Sequence, residues 1–342
     1  MIHLESVKIT LPLKKTFAVS QGAADVKTVF LTILNNRYNG EASGSVYLGP
    51  SDEEIEREIK KGLALLAGFK EIDVDTLREV SQFDINPAAR AALTGMILNY
   101  ISGESKRYPW EVLSLGTPIG VKSSFTVSVG PPREMIEAIK TCDYPIIKIK
   151  MGHEQDIMIL DVLEQVQGKE IRVDANGGWS CAKAEEMIFH LSKKGVKIIE
   201  QPTLPDFVDE WPHLKGKNEG VELIIDEGLN NSRDYDRFAD CVDGINIKME
   251  KCGGILEGVK LAEKAQNDRK KVMLGCMVES SVGIAQSVYM SSQAEYFDLD
   301  GPLLLENDIA DGIRYDRESI KVDREIIGGP KLKRDVIEKY IT

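Results

Sequence analysis

The chain has 342 residues, more than a typical single domain, and 42% of them are hydrophobic, enough for a large core. A net charge of −12 and a pI near 5.1 argue against a nucleic-acid or anionic-membrane partner, and no apolar run reaches transmembrane length. Five scattered cysteines without CxxC spacing fit reduced thiols in a cytoplasm, and four histidines without metal spacing leave only a hard cation held by carboxylates.

The opening "MIHLESVKITLPL" reads as a strand and not as a signal peptide. "VKTVFLTILNN" and "GEASGSVYLG" read as further strands, with a turn at Arg37 to Gly40. "SDEEIEREIKKGLALLAG" opens with Ser51 as N-cap and Glu54 three residues on, the signature of a capping-box helix. "NPAARAALTGMILNYISG" is a second, more apolar helix, expected to be buried.

From about residue 121 the texture changes. Eight β-rich runs alternate with helical segments: "SSFTVSV", "PIIKIKM", "EIRVDA", "VKIIEQP", "VELIIDE", "DGINIKM", "KVMLGCM" and "AEYFDLD". That alternation predicts an α/β fold with a parallel βα barrel. A doubly wound sheet is the alternative, but "SVGPPREM" is a poor phosphate loop. After Asp300 no eighth helix follows at once, and the tail reads as loop and hairpin that returns toward the N-terminal region.

In such a barrel the chemistry sits where strands end and loops begin. Those positions hold Lys148 and Lys150, then Asp174, Glu200, Asp226, Lys248, Cys276, and Asp298 with Asp300. Asp174, Glu200 and Asp226 follow one another at equal intervals of 26 residues, so three consecutive strands bring a carboxylate to one rim. Three such oxygens with room for water and substrate suit octahedral Mg²⁺. The bland reading, that each acid caps the next helix, is met by better-placed caps at Ser180, Asp206 and Ser232.

Lys148 and Lys150 stand at i and i+2 of one strand, roughly 7 Å apart. Their repulsion, about 2 kcal/mol at an effective dielectric near 20, is expected to lower a lysine toward service as a base. Lys248 ends a strand beyond the acids, so it faces Lys150 across a bound substrate. Such parts remove a proton α to a carboxylate, Mg²⁺ stabilising the enediolate. With a lysine on each face the outcome is a 1,1-proton transfer; elimination uses the same first step.

These residues together resemble the enolase superfamily, in the muconate-lactonizing subgroup: "KIK" at 148–150, "RVDANGGW", "IEQP", "IDEG" and "INIKMEKCGG". The resemblance covers essentially the whole chain. It implies a modified (β/α)₇β TIM barrel over 116–301 with an α+β capping domain over 1–115, completed by 302–342. "LGCMVESSVG" and "YFDLDGP" resemble dipeptide epimerases, whose Asp-x-Asp would here be Asp298 and Asp300, binding the substrate ammonium. A turn favoured by "DLDGP" is the bland reading of the same pair.

Thr126 and Cys276 match substrate-contact positions, and with no His base beside it Cys276 is expected to act through its backbone. The implied cofactor is Mg²⁺, with Lys150 and Lys248 as the catalytic bases and Lys148 orienting the substrate carboxylate and lowering the pKa of Lys150. The implied partner is a small dipeptide, with no nucleic acid and no membrane; a homo-oligomer is compatible. Two positions depart from the pattern. Gly228 stands where Ser is usual, and Gly22, in the loop 16–24, stands where Ala-Glu epimerases carry an arginine. An uncharged or apolar side chain is therefore expected at the epimerised position. The other readings are an o-succinylbenzoate synthase, an N-acylamino-acid racemase, or a catalytically silent barrel.

Overall fold

Strands β1 (Leu4–Val19), β2 (Gly22–Leu34) and β3 (Tyr38–Ala42) form an antiparallel sheet in the order β1-β2-β3. The computed structural model describes residues 2–19, 22–44, 49–118, 120–166, 168–216 and 220–341. The turn between β2 and β3 lies at 35–37, earlier than expected. Asn35 and Asn36 adopt left-handed backbone angles that Asn tolerates, so Tyr38 to Gly40 are free to pair with Leu34 to Thr32. Of the strand expected over 40–49, residues 40–42 lie in β3, and 45–48 lie outside the described residues.

Helix α1 (Asp52–Leu66) carries the expected box: the Glu54 backbone N–H donates to Ser51 Oγ, and the Ser51 N–H to Glu54 Oε2. A short α2 (Val74–Val80), capped by Asp73, was not among the expected elements. Helix α3 (Pro87–Ser105) buries twelve of its nineteen residues, as its apolar circumference requires. One side packs on β3 so closely that a Cβ at Gly40 would lie 1.9 Å from the Ala92 carbonyl oxygen.

All eight expected barrel strands form: β4 (Phe125–Val127), β5 (Ile146–Lys150), β6 (Glu170–Asp174), β7 (Ile198–Glu200), β8 (Glu222–Ile225), β9 (Gly244–Lys248), β10 (Lys271–Gly275) and β11 (Tyr296–Asp298). They pair in parallel and in chain order. A parallel bridge between Ser123 and Phe297, with the Ser124 N–H on the Phe297 carbonyl at 3.1 Å, closes the ring. Helical segments fill each of the seven connections.

After Asp300 a single turn, Gly301–Leu304, leads to the tail and its hairpin of Ile313–Asp316 with Ser319–Val322. The tail runs back over β1: the Glu306 N–H donates to the Pro12 carbonyl at 2.9 Å, and the Thr10 N–H to that of Tyr340 at 3.0 Å. Ile9, Leu11, Leu305 and Ile309 close a separate apolar cluster beneath it. Among the described residues no helix is long and apolar enough to cross a membrane.

The helix starts refine the capping argument. Ser180 caps Cys181–Lys193 as expected. Asp206 does not cap: Pro205, with its fixed φ, begins a 3₁₀ segment preceded by Leu204. Ser232 is one residue late, because Asn231 accepts from the N–H groups of Arg233 and Asp234. None of Asp174, Glu200 and Asp226 caps a helix.

Candidate active site

Side chains alternate along each barrel strand. On β5, Ile147 and Ile149 join the main apolar core, while Lys148 and Lys150 face the barrel interior. Below the rim that interior holds an apolar cluster of Ile198, Ile224 and Met273 together with the buried Arg172 and Asn246. Two residues further along the same strands come Glu200 and, just past β8, Asp226. Lys150 is the register partner of Asp174, and Asp174 of Glu200. Around the rim the order is therefore Lys150, Asp174, Glu200, Asp226, Lys248, with the three acids between two lysines, as the spacing implied.

The charges are interlocked. Lys148 Nζ lies 2.9 Å from Asp174 Oδ2, 2.8 Å from Glu200 Oε2 and 2.7 Å from Asp298 Oδ2. Lys150 Nζ lies 2.6 Å from Asp174 Oδ2, and Lys248 Nζ lies 2.8 Å from Asp226 Oδ2. Asn246 Nδ2 donates to Glu200 Oε1 at 2.9 Å, and the Asn176 N–H donates to Asp174 Oδ1 at 2.9 Å. All these side chains are buried.

At Lys148 the attraction of the carboxylates outweighs the repulsion from Lys150. Burial alone would lower its pKa, but Asp174, Asp298 and Glu200 together raise it well above the ordinary lysine value. The neighbouring acids divide accordingly. Burial would raise Asp174, yet Lys148 and Lys150 hold it below the usual carboxylate range. Lys248 and Lys251 do the same for Asp226 against the same burial. Glu200, buried beside Asp174 and Asp226, is pushed up to about 7.

Above the rim lies a cavity of about 530 Å³. Lys150, Asp226 and Lys248 line one side, and Thr126, Cys276, Asp298 and Asp300 line the other. Lys148, Asp174 and Glu200 are not among the lining residues. The Thr126 N–H donates to Asp300 Oδ2 at 2.7 Å, and Ser124 Oγ donates to Asp298 Oδ1 at 2.7 Å. Burial, then Asp298, pushes Asp300 up to about 7. Burial raises the Cys276 thiol well above its ordinary value, which leaves it a poor nucleophile.

Gly22 pairs with Val19 at the end of the β1–β2 hairpin, and residues 20 and 21 of the expected specificity loop lie outside the described residues. Gly22 does not line the cavity, whereas Phe17, Ala24 and Val26 of the same hairpin do. At Gly228 φ is +92°, and a Cβ would lie 2.9 Å from Pro205 Cβ, so glycine suits this position better than the serine usual in the pattern.

Among the described residues no three Asp, Glu, His or Cys side chains are already gathered as a metal cluster, since lysines engage the acids instead. The donor set nonetheless fits a hard cation. It is all oxygen, it crowds carboxylates that burial keeps from water, and the buried Glu227 Oε2 beside Asp226 has no hydrogen-bond partner.

Sequence reasoning passed over several participants. Asn246 stands two residues before Lys248, so the alternation of β9 would have found it. Lys251 lies one helical turn past Lys248; its Nζ bonds Asp226 Oδ1 at 2.5 Å and the Asp226 carbonyl. Ser124 precedes Thr126 by two and holds Asp298. The pairing of Lys148 with Asp298 had no local signal, because 150 residues separate them.

Residues 133–324 match the family described as Enolase C-terminal domain-like. The chain is 30% identical over 320 residues to the L-Ala-D/L-amino acid epimerase of Maribacter sp., covering 90% of this chain and 92% of the relative. It is also 30% identical over 329 residues to the hydrophobic dipeptide epimerase of Roseobacter litoralis, covering 92% and 93%. The dipeptide epimerase from Cytophaga hutchinsonii, solved in complex with Mg and the dipeptide D-Ala-L-Val, superposes with a TM-score of 0.88 at 22% identity, over 98% of this chain and 97% of that one. The strand-end charges, the closed barrel and these likenesses agree: the chain belongs to the enolase superfamily, in its Enolase C-terminal domain-like family.

Proposed function

We propose that this protein is a Mg²⁺-dependent dipeptide epimerase that inverts the α-carbon of the dipeptide's C-terminal residue by 1,1-proton transfer. The observation that carries this is the cavity with Lys150 and Lys248 flanking the acids on one side and Asp298 and Asp300 opposite. Relatives named as dipeptide epimerases support the same substrate class.

Asp174, Glu200 and Asp226 would hold the cation, which when bound supplies positive charge to offset that developing on the substrate carboxylate. Lys150 and Lys248 approach the α-carbon from opposite faces; one takes its proton and the other returns a proton from the far side. Asp298 and Asp300 hold the ammonium at the dipeptide's other end, so both ends are fixed and the reacting C–H is placed between the lysines. Incubating L,L-dipeptides in D₂O and reading deuterium uptake by mass tests this reading. Deuterium at the α-carbon of the C-terminal residue, with the L,D product, is the expected result; no exchange with any dipeptide overturns it.

Lys148 acts as a positioning residue, since it bonds three carboxylates and does not line the cavity. Lys148→Met is expected to slow α-proton exchange of both diastereomers by about a hundredfold, as for loss of a preorganised electrostatic contact. Slowing of one diastereomer alone would instead identify Lys148 as a base. A protein that exchanges at the wild-type rate would remove its role.

One observation favours a second reading, an N-acylamino-acid racemase: each oxygen of Asp298 already accepts one hydrogen bond, from Lys148 and from Ser124, which leaves it less capacity for an ammonium. The two readings separate on N-acetylated dipeptides. With the ammonium bound at Asp300, acetylation is expected to lower kcat/KM about tenfold to a hundredfold, the scale of a charge-assisted hydrogen bond. Asp300→Asn should shrink that difference. Equal rates with and without the acetyl group favour the racemase.

A further inference from the structure

Outside the rim, a buried lysine and a buried glutamate line the same cavity. Lys27 comes from β2 and Glu250 from the turn after β9, and they are 6% and 6% exposed. Neither belongs to the catalytic arc. The Lys27 ammonium donates to the Gly44 carbonyl and, among the described residues, has no carboxylate within ion-pair distance, although Glu250 and Glu279 are the nearest strong influences on its charge. Glu250 Oε2 accepts the Ser43 N–H at 2.9 Å, while Glu279 and Glu41 are held by the N–H groups of Met277 and Ser280. Much of the remaining wall near the hairpin is apolar, with Leu13, Phe17 and Val26 among the lining residues.

We infer that Lys27 and Glu250 form the polar end of the side-chain subsite, which selects dipeptides whose epimerised residue ends in a neutral hydrogen-bond acceptor, a carboxamide above all. This rests on the epimerase reading and deepens it. An ammonium has three donors and no acceptor, and only one of Lys27's donors is used by a described residue. A wholly apolar side chain strips water from that ammonium and returns no bond. A carboxylate returns a bond but brings a further negative charge into a buried site where burial already raises the pKa values of Glu250, Glu279 and Glu41. A carboxamide accepts from Lys27, and its amide N–H₂ donates to a carboxylate oxygen of Glu250. Burial lowers the Lys27 pKa and raises that of Glu250, so both gain from a partner that hydrogen-bonds without adding charge.

The test compares kcat/KM for L-Ala-L-Gln, L-Ala-L-Met and L-Ala-L-Glu, which match closely in size and differ at the side-chain end. The wild-type protein is expected to prefer the Gln dipeptide about tenfold or more over both others, the scale of one hydrogen bond to a charged group. Lys27→Met should bring the Gln-to-Met ratio toward one, and Lys27→Arg should keep it above that of Lys27→Met. Ratios cancel any loss common to all substrates, and the wild-type ratios need no variant. A wild-type preference for Met or Glu over Gln, or a ratio unmoved in Lys27→Met, overturns the inference while the epimerase reading stands. Absence of α-proton exchange with all three dipeptides, and with a wider set, is the separate failure of the epimerase reading.

Discussion

Replacing Lys150 or Lys248 with alanine is expected to abolish epimerisation while each variant retains exchange with only one diastereomer. The reason is the order of the rim. Lys150 and Lys248 close the two ends of an arc whose middle is Asp174, Glu200 and Asp226, and both line the cavity. A single base can remove the proton from one face of an α-carbon, and inversion needs delivery from the other. Removing one general acid–base group costs roughly 10²–10⁴ in rate. The measurement is ¹H exchange in D₂O for the L,L and L,D forms separately. Lys150→Ala and Lys248→Ala should spare opposite forms. If either variant interconverts both diastereomers at a normal rate, the two-lysine assignment is wrong.

Exhaustive chelation is expected to lower activity about a thousandfold or more, with Mg²⁺ restoring the wild type and not Asp226→Asn. Asp226 is the member of the acid trio that lines the cavity, and it also bonds Lys248 and Lys251. Loss of activity in the variant alone would therefore mix two effects. Calorimetric titration of Mg²⁺ separates them: the wild type should bind one divalent ion, and Asp226→Asn should bind it at least tenfold more weakly. Undiminished activity after chelation, or equal Mg²⁺ affinity in the two proteins, would reject the ligand assignment.

The helix starts show where local reasoning holds and where it slips. Ser51 and Ser180 were read correctly because capping depends on residues within one turn. Asp206 was misread because Pro205 begins its segment early, and Ser232 because Asn231 competes one residue upstream. The turn after β2 slipped for the same kind of reason: Asn35 and Asn36 take left-handed angles that asparagine tolerates, upstream of the expected Arg37 to Gly40.

The sequence by itself determined the order of the barrel and the residues at its rim. Strand alternation has period two, the connections are short, and parallel strands in chain order place successive strand ends side by side. Lys150, Asp174, Glu200, Asp226 and Lys248 were legible on that basis alone. Tertiary structure decided which charges meet. Lys148 spans 150 residues to reach Asp298, Ser43 just past β3 binds Glu250 just past β9, and Lys27 enters the cavity from β2. Such contacts leave no periodic trace, because they depend on how the N-terminal sheet and α3 sit over the open end of the barrel. For the same reason the balance of charge at Lys148 was not legible: its neighbour on the strand is a cation, but its neighbours in space are three carboxylates.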